Sequence, residues 1–579
     1  MKTDYQTIAK IYESDNSLVY KGILKENNQP IILKILKENY PTPSELTRYK
    51  QEYEITRSLD VDNIIKAYDL QRHKNSLVML LEDFGGQSLK LLSSETQFSL
   101  EDFLRIAIKI TEALAAIHQA NIIHKDINPS NIVYNPQTRE LKIIDFGISS
   151  RLAQEFTTVL PPNQLEGTLA YIAPEQTGRM NRGVDYRSDF YSLGATLYEL
   201  LTKRFPFETI DPMELVHCHI AQKPLFVNEI IPDIPSAVSN IIAKLLAKTP
   251  EERYQSAEGI KADLETCLHK LNSSGHISSF PLATQDIAEK FQIPQKLCGR
   301  EEEVHQLLTT FKQVSQGETG MILVAGYSGI GKSALVNEIH KPITRQRGNF
   351  ISGKFDQLQR GIPYSAIAQA FQDLIRQLLS EPEITLQTWK KKILEALDNN
   401  GQIIIDVIPE LEKIIGKQPV IEQLDTTENQ NRFNLVFQKF LHIFCQQEHP
   451  LVIFIDDLQW ADLASLNLIE TLISDPDIKY LLLIGAYRDN EVSPTHPLIH
   501  TLEKIDQAKI SINKILLAPL KTKDINQLIA DTLKCLPEVS QSLAELVTKK
   551  TGGNPFFLTQ LLYSLYQENL LVFNANQSF

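Results

Sequence analysis

The chain has 579 residues, a length that excludes a single hydrophobic core and predicts roughly three or four domains. Hydrophobic residues make up 42% of the sequence and charged residues 22%, and this globular balance excludes long disordered stretches. The formal net charge of −13 comes without a basic block, which argues against nucleic acid as the main partner.

The cysteines and the apolar runs indicate the compartment. The five cysteines lie far apart and form no CxxC pair, which is typical of free thiols in a reducing compartment. The first residues are polar and lack the apolar core of a signal peptide. The longest apolar runs, such as 451–455 and 480–484, are far too short to span a bilayer. We therefore expect a cytoplasmic protein with no membrane partner.

The first 98 residues have the pattern of short strands with one helix. We predict strands at 17–24, 30–36 and 77–81, because these runs are apolar and bounded by turn residues. A helix is predicted at 44–59, where apolar residues recur at three- and four-residue spacing and Ser44 can cap the start.

From about residue 99 the pattern becomes helical. A long helix is predicted over 100–120, with Ser99 and Asp102 as its capped start. The stretch 189–201 is apolar nearly all round, as a buried helix would be. Strands followed by helices indicate an α+β unit with two lobes.

The second half of the chain has a different pattern. A small, polar stretch predicts a linker over 271–294. Beyond it strands alternate with helices: we predict strands at 321–325, 451–455 and 481–486 and a helix that begins at Lys332. This alternation is typical of a parallel sheet with crossover helices.

Three short motifs in the first half point to phosphoryl transfer. The run HKDINPSN at 124–131 precedes DFG at 145–147 and APE at 173–175. Each motif alone is weak, but three in this order are a strong signal. Asp126 is the candidate catalytic residue, because an aspartate there can accept a hydroxyl proton and orient the nucleophile.

The same motifs predict a magnesium site and a phosphate-binding cation. Asn131 and Asp145 supply oxygen ligands of the kind that Mg²⁺ prefers. Upstream, Lys34 ends an apolar strand and Glu52 lies on the following helix. A pair between them would orient the lysine towards the phosphates of ATP, although alone the same pattern is typical of a surface salt bridge.

Residues 5–270 resemble the protein kinase family. The resemblance implies lobes at 1–82 and 87–270, ATP and Mg²⁺ as cofactors, and a protein substrate with Ser or Thr. It implies that the segment around Glu82 contacts adenine through its backbone. It also implies further structural roles: a substrate-binding loop at Gly167 and Thr168, a buried aspartate that supports the catalytic loop at Asp189, and a pair between Glu175 and Arg253.

The sequence departs from the family pattern in two places. Counting back from Val19, the three glycine positions of the phosphate-covering loop are Tyr12, Ser14 and Ser17. Serine can still donate hydrogen bonds, so residues 14–17 are expected to act as a substitute lid. Asn128 stands where lysine is usual, and asparagine cannot neutralise developing charge. Both departures lower the expected activity.

A second nucleotide site is predicted at 326–333, which reads GYSGIGKS after a strand and before a helix. Gly326, Gly329 and Gly331 allow backbone N–H groups to surround phosphates. In this motif Lys332 reaches the β- and γ-phosphates and Ser333 ligates Mg²⁺.

A partner for this loop follows the strand at 451–455, which ends in two carboxylates. Asp456 is expected to hold the magnesium shell. Asp457 is expected to polarise the attacking water as a catalytic residue, with a plain loop carboxylate as the alternative.

The motifs at 457–462, 485–489 and 551–557 resemble signalling ATPases of the AAA/STAND type, over about residues 295–570. The resemblance implies that Arg488 senses the γ-phosphate, with a surface arginine as the alternative. It implies a P-loop domain at 295–520, with Gly299 and Arg300 near the adenine, followed by a helical or winged-helix-like segment at 521–579. The expected fold class is therefore multidomain: an α+β two-lobed protein kinase fold, then an α/β P-loop NTPase fold with a C-terminal helical lid.

The combination resembles the large cyanobacterial multi-kinases, in which a GAF sensor and a histidine kinase follow these two parts. We expect a truncated member without those parts and without histidine phosphorylation by this chain. The resemblance implies a response regulator or a histidine kinase as partner and a nucleotide-dependent oligomer.

Three functions fit these observations. The first is a serine/threonine protein kinase with an attached nucleotide-switch ATPase that has its own ATPase activity. The second is a low-activity or pseudokinase scaffold whose assembly is controlled by ATP binding to the P-loop domain. The third, a simple hydrolase, ignores the first half of the chain.

Overall fold

The chain divides into two compact units, Met1–Glu289 and Lys290–Phe579. The computed structural model describes residues 5–14, 17–37, 41–73, 76–151, 165–180, 182–209, 211–286, 291, 293–294, 296–346, 348–357, 362–379, 383–421, 425–507, 512–568 and 570–571. Each unit has its own sheet and its own hydrophobic core.

The first unit opens with a five-stranded antiparallel sheet in the order β1-β2-β3-β5-β4. Its strands are β1 (Tyr5–Glu13), β2 (Ser17–Leu24), β3 (Pro30–Leu36), β4 (Ala67–His73) and β5 (Ser76–Glu82). The bounds of β2 and β3 are those predicted from their apolar runs. Strand β1 was not predicted, because it lies at the sheet edge and its residues are almost all exposed.

Helix α1 (Pro43–Ser58) packs on this sheet but begins earlier than its sequence suggested. Thr42, rather than Ser44, caps it: the Thr42 hydroxyl accepts from the Glu45 amide, and the Glu45 carboxylate accepts from the Thr42 amide in return. The prediction of Ser44 as the cap was wrong because Pro43, which has no N–H, already occupies the first helical position.

The rest of the first unit is helical around a small three-stranded sheet. The elements are β6 (Gln87–Ser88), α2 (Leu89–Glu95), α3 (Leu100–Gln119), β7 (Ile132–Tyr134), β8 (Leu141–Ile143), α4 (Arg187–Thr202), α5 (Pro212–Ala221), α6 (Val227–Ile230), α7 (Ser236–Leu245) and α8 (Ala257–Ser274). Ser99 caps α3 as predicted, by accepting from the Asp102 amide. Helix α4 is buried on nearly every side, which confirms the second helical prediction.

The segment predicted as a linker at 271–294 is partly ordered on the first unit. Its first residues complete the last turn of α8. Further on, the Asp286 carboxylate accepts from the backbone amides of Gln255 and Ser256, both at 2.8 Å. These bonds hold the chain against the start of α8, so the unit extends to at least residue 286.

The second unit is built on a five-stranded parallel sheet in the order β10-β11-β12-β9-β13. Its strands are β9 (Thr319–Ala325), β10 (Asn349–Lys354), β11 (Leu451–Asp456), β12 (Leu481–Tyr487) and β13 (Ile512–Leu516). Alternate residues of β9 enter two different cores: Met321 and Leu323 pack in one, Ile322 and Val324 in the other. Both faces of the sheet are therefore covered, as parallel sheets require.

Helices surround this sheet and continue beyond it. They are α9 (Glu301–Val314), α10 (Lys332–Asn337), α11 (His340–Arg345), α12 (Ser365–Leu378), α13 (Glu383–Leu397), α14 (Gly401–Ile405), α15 (Glu412–Ile415), α16 (Thr426–His442), α17 (Leu463–Ile473), α18 (Pro497–Gln507), α19 (Thr522–Leu533), α20 (Pro537–Thr551) and α21 (Pro555–Gln567). The last three form a separate small core after the final strand. Of the helical or winged-helix-like segment predicted at 521–579, residues 569 and 572–579 lie outside the described residues.

Candidate functional site

The first cleft brings together side chains from three elements. The Lys34 ammonium, on β3, lies 2.6 Å from Glu52 Oε1 on α1 and 3.0 Å from Asp145 Oδ1 after β8. The predicted pair of Lys34 and Glu52 therefore forms, and it is buried, unlike a surface salt bridge. Asp145 has a positive φ of 67° and 45% of its side-chain surface exposed, so a ligand can still reach its carboxylate.

The charges in this cleft reinforce one another. Burial opposes the charged form of Lys34, but the carboxylates of Asp145 and Glu52 outweigh it and raise the lysine pKa above its ordinary value. The Lys34 charge in turn lowers the pKa of Asp145. Burial raises the pKa of Glu52 despite the nearby lysine. A cation and the exposed anion Asp145 thus stand side by side at neutral pH.

Asp126 is held by hydrogen bonds on both carboxylate oxygens. Oδ2 accepts from the Asn131 side-chain nitrogen at 2.8 Å, and Oδ1 accepts from the Thr168 amide at 2.9 Å. The same Asn131 nitrogen also donates to the Asp126 carbonyl at 3.0 Å. Because the nitrogen is used in this way, the amide oxygen of Asn131 is the atom that can bind a cation. Asn131 and Asp145 together fit the hard oxygen set of Mg²⁺.

The buried carboxylate of Asp189 fixes the backbone of the catalytic loop. It accepts from the amides of His124 at 2.9 Å and Lys125 at 2.8 Å, and it contacts His118 Nε2 at 2.8 Å. Lys125 has a positive φ of 69°, which these bonds stabilise immediately before Asp126. The predicted support of the loop by Asp189 is present.

Asn128, the predicted departure from the family, is buried inside this loop network. Its side-chain nitrogen donates to the Asp126 carbonyl at 3.2 Å and to the Thr168 hydroxyl at 3.4 Å. Its side-chain oxygen accepts from the Ser130 amide at 2.9 Å. Asn128 therefore stiffens the loop through hydrogen bonds, and its catalytic role stays a prediction.

The two described residues of the predicted substitute lid, Ser14 and Ser17, are hydrogen-bonded to each other. The Ser14 amide donates to the Ser17 carbonyl at 2.9 Å, and the Ser14 hydroxyl accepts from the Ser17 amide at 3.0 Å. Asp15 and Asn16 lie outside the described residues. Val19 stands opposite Lys34 in the ladder of β2 and β3. This register ties the predicted lid to the strand that carries the lysine.

Glu82, predicted in the adenine-binding segment, ends β5. Its amide donates to the Lys66 carbonyl at 3.0 Å, and its carboxylate lies 3.0 Å from the Lys142 ammonium. The Glu82 amide is therefore engaged within the sheet, and a contact from this residue to a nucleotide stays a prediction.

The loop of the second site has glycine where the backbone conformation or a neighbouring side chain favours it. Gly331 has a positive φ of 101°. At Gly329, with φ of 76°, a β-carbon would lie 2.9 Å from Phe556 Cβ and 3.0 Å from Asn554 Oδ1. The loop lines a cavity of about 430 Å³ that also includes Lys332. The Lys332 ammonium donates to the carbonyls of Gly326 at 2.7 Å and Tyr327 at 3.0 Å.

The carboxylate of Asp456, at the end of β11, and that of Asp457, which follows it, face the same cavity. The Ser333 hydroxyl donates to Asp456 Oδ2 at 3.3 Å, so the two predicted magnesium ligands meet. Burial, with the neighbouring Asp457 charge, raises the pKa of Asp456, and burial lowers the pKa of Lys332. A hydroxyl beside a carboxylate is a donor set that fits Mg²⁺.

Known families match the two units separately. The protein kinase domain family matches residues 5–264, and the AAA ATPase domain family matches residues 296–484. This chain joins a protein kinase domain to an AAA ATPase domain. Both expected families are thereby confirmed, while the cyanobacterial relationship stays a prediction.

Several curated proteins resemble the chain. Hybrid signal transduction histidine kinase G of Dictyostelium discoideum is 30% identical over 625 residues, which cover 82% of this chain and 18% of that protein. The serine/threonine-protein kinase PrkC of Bacillus subtilis is 33% identical over 243 residues, which cover 41% of this chain and 36% of that protein. The peroxide stress-activated histidine kinase mak3 of Schizosaccharomyces pombe is 21% identical over 652 residues, which cover 96% and 26%. The chain thus spans at most 36% of the length of these relatives.

Two cations of the ATPase domain surround Asp457, which has a positive φ of 55°. Arg488 Nε lies 3.4 Å from Asp457 Oδ1, and the Lys354 ammonium lies 3.2 Å from Oδ2. The Arg488 guanidinium also lies 4.9 Å from the centre of the Trp460 ring. Arg488 lines the cavity and also pairs with Glu491 at 2.8 Å, and its role as a sensor stays a prediction.

Lys354 was missed from the sequence because β10 was not predicted. Its sequence, NFISGK, mixes apolar with small and polar residues and lacks the continuous apolar run of β11. The available signal was a charged residue at the carboxyl end of a strand in a parallel sheet, where ligands bind.

The helical end of the ATPase domain reaches the phosphate-binding loop. The Asn554 side-chain nitrogen donates to the Ser328 carbonyl at 2.9 Å, and the Phe556 amide donates to the Gly329 carbonyl at 3.3 Å. By contrast, Arg300 pairs with Glu303 and the carbonyl of Ala518. The cavity lining found in the described part of the chain does not include Arg300, so its place near adenine stays a prediction.

Within the described residues, no helix is both long enough and apolar enough to cross a membrane.

Proposed function

We propose that the chain is an ATP-dependent serine/threonine protein kinase of signal transduction, with an attached ATPase that acts as a nucleotide switch. The observation that carries this proposal is the assembled cleft, in which Lys34 contacts both Glu52 and Asp145. The kinase domain match and the serine/threonine kinase relatives support it further. The reaction transfers the γ-phosphoryl group of ATP to a Ser or Thr hydroxyl of a protein.

Each residue of the kinase cleft has its own role in this transfer. Magnesium ATP, when bound, supplies the phosphoryl group and a divalent cation that neutralises its charge. Lys34 supplies a fixed positive charge for the phosphates, held in place by Glu52. Asn131 and Asp145 supply the oxygen ligands for the cation. Asp126 accepts the proton of the substrate hydroxyl, in an orientation fixed by its bonds from Asn131 and Thr168.

In the ATPase domain the proposed functions are nucleotide binding and hydrolysis. Lys332 and the loop amides bind phosphate, and Ser333 with Asp456 holds magnesium. Asp457 orients the attacking water, and Arg488 senses the terminal phosphate. The contacts of Asn554 and Phe556 with the loop carry the state of this site to the C-terminal helices, which would set the assembly of the protein.

We also propose a cytoplasmic site of action and a response regulator or histidine kinase as signalling partner. Two of the relatives are named as histidine kinases, which supports a partner of this chemistry. A nucleotide-dependent oligomer is part of the same proposal.

A scaffold with a weakly active kinase domain is the second candidate function. The serines at 14 and 17 and the asparagine at 128 favour it, because each removes a feature that normally stabilises the transferred phosphate. Tight ATP binding without transfer to any protein, together with an oligomer whose size depends on nucleotide, would support this second function and contradict the first.

Transfer of labelled phosphate from ATP to protein tests the first function. The full chain is compared with Asp126→Asn, Lys332→Ala and, as a matched control, Asp233→Asn at an exposed position. A general base contributes about 100-fold or more, so Asp126→Asn should lose at least that factor while Asp233→Asn keeps full activity. Transfer that survives Asp126→Asn would show that this cleft is not responsible.

A further inference from the structure

A second lysine points into the cavity of the ATPase domain. Lys354 is the last residue of β10, and the parallel register with β11 places it opposite Asp456. Its backbone amide donates to the Gln369 side chain at 3.0 Å, so both the sheet and α12 fix its backbone. The side chain is 60% exposed and lines the same cavity as Lys332 and Ser333. Its ammonium is therefore accessible to a ligand in that cavity.

Three cations and two carboxylates line the cavity, and one of the cations, Arg488, also pairs with Glu491 at 2.8 Å. Lys332, Lys354 and Arg488 line it together with the carboxylates of Asp456 and Asp457. Triphosphate carries more negative charge than diphosphate, so an additional cation favours the longer chain. The carboxyl ends of the parallel strands, where these residues lie, are also the edge at which α/β sheets bind ligands.

Asp457, the carboxylate that Lys354 contacts, also has other partners. Asp457 is almost fully buried, and its Oδ1 accepts from the Gln459 side chain at 2.7 Å and lies 3.4 Å from Arg488 Nε. Lys354 contacts the other oxygen, Oδ2. Asp457 therefore keeps a cation and a hydrogen-bond donor if Lys354 turns to a phosphate. A lysine also has three donors on a flexible stem and can contact a carboxylate and a phosphate together.

The alternative explanation of the Lys354–Asp457 contact is an exposed ion pair of little energetic value. Two observations argue against it. The Asp457 carboxylate is buried, so the pair does not join two exposed side chains. Lys354 also lines the wall of the phosphate-binding cavity. Lys332 uses its ammonium on two loop carbonyls, which places that cation at the loop, whereas Lys354 lies at the end of β10 beside Asp457.

We propose that Lys354 is a second phosphate-binding residue of the ATPase domain, which recognises the terminal phosphate of a nucleoside triphosphate and thereby discriminates ATP from ADP. When Lys354 binds that phosphate, its contact with Asp457 weakens, so that binding of triphosphate and release of the Asp457 carboxylate are linked. This inference rests on the proposed function of the P-loop as a nucleotide site.

The test measures equilibrium binding of ADP and of a non-hydrolysable ATP analogue, each with magnesium, to the full chain. Nucleotide binding that is lost in Lys332→Ala is assigned to the P-loop, and this distinguishes it from nucleotide binding in the kinase cleft. Lys354→Met, Lys354→Arg and the control Lys391→Met, at an exposed helical lysine in an ion pair, are then compared with the wild type.

Lys354→Met should weaken P-loop binding of the ATP analogue by about 10-fold or more, as loss of a charge-assisted hydrogen bond would, and leave ADP within about threefold. Lys354→Arg should recover part of the difference, and Lys391→Met should change neither affinity. Equal losses for both nucleotides, or unchanged affinity for the ATP analogue, would overturn the role of Lys354 while the P-loop site stands. If Lys332→Ala loses no binding, the P-loop function itself fails.

Discussion

Asp145 Oδ1 lies 3.0 Å from the Lys34 ammonium, although 111 residues separate them in sequence. Glu52 contacts the same ammonium from α1. The helix, the sheet and the loop after β8 are thus tied at a single buried cation. Phosphoryl transfer requires the helix, the sheet and the loop to be in place together, so this contact is typical of an assembled kinase cleft.

Replacing Glu52 by glutamine should lower phosphate transfer without unfolding the domain. Glutamine keeps the shape of the side chain but removes the charge that holds Lys34, so the lysine is less well oriented. We expect kcat to fall by roughly 10- to 100-fold, which is about 1.4 to 3 kcal/mol. Steady-state transfer rates measure this, with Glu54→Gln on the exposed face of the same helix as the matched control. Equal rates for both variants would contradict the orienting role.

Glu166 should contribute to activity by joining the segment before Thr168 to the catalytic loop and to α1. Its carboxylate lies 3.7 Å from the Lys125 ammonium and 4.0 Å from the Arg48 guanidinium. Glu166 and Arg48 are about half exposed, although Lys125 is buried, and both distances are long, so Glu166→Gln should lower kcat only about two- to tenfold. The control is Glu265→Gln, which removes an ion pair of similar length at Lys261 and has a similarly exposed glutamate. A larger effect of the control would rule out this connection.

The buried pair of Glu175 and Arg253 should be the costliest single contact to break in the kinase domain. The two carboxylate oxygens accept from Nη1 at 2.6 Å and Nη2 at 2.8 Å, and neither side chain has exposed surface. Glu175→Gln leaves a buried cation without its counter-charge and should lower the free energy of unfolding by about 3–5 kcal/mol. Urea unfolding measures the loss. The exposed pair mutant Glu101→Gln should lose less than about 1 kcal/mol.

Acid should destabilise the kinase domain through His219. Burial, with the nearby Lys248 charge, lowers the pKa of His219 from 6.5 to about 3. The unfolded chain therefore binds a proton that the folded chain does not, and stability is lost as pH falls from about 6.5 towards 3, by roughly 1.4 kcal/mol per pH unit.

Urea unfolding between pH 7.5 and pH 4.5 measures this slope. His219→Gln removes the titration and keeps an acceptor for the Tyr191 hydroxyl, which contacts Nδ1 at 3.0 Å. The variant should lose a large part of the pH dependence. His276→Gln, at an exposed position, should keep all of it. Identical slopes in the two variants would exclude His219 as the source.

Much of the fold could be predicted because its signals are local. Largely apolar runs bounded by turn residues predicted β2 and β3, and a continuous apolar run predicted β11, whose first five residues are buried. The motif residues Asp126 and Asn131 were predictable because phosphoryl transfer demands those side chains at that spacing. Their hydrogen bond at 2.8 Å follows from the loop that joins them.

Other features depend on neighbours that are distant in sequence. Strand β1 is exposed, and only its pairing with β2 makes it a strand. Lys354 becomes a site residue only because β10 lies beside β11. The bond from Asn554 to Ser328 spans 226 residues and could not be read from either motif alone. Sequence patterns predict the motif residues and their chemistry, whereas the order of the strands determines which further side chains lie in the site.

Phosphate transfer in the Lys332→Ala chain tests the central claim most directly, because there the kinase cleft is the site expected to use ATP. We predict that this chain transfers labelled phosphate to Ser or Thr of a protein, and that adding Asp126→Asn lowers the rate by about 100-fold or more. A rate that is unchanged by Asp126→Asn in this background would contradict the account.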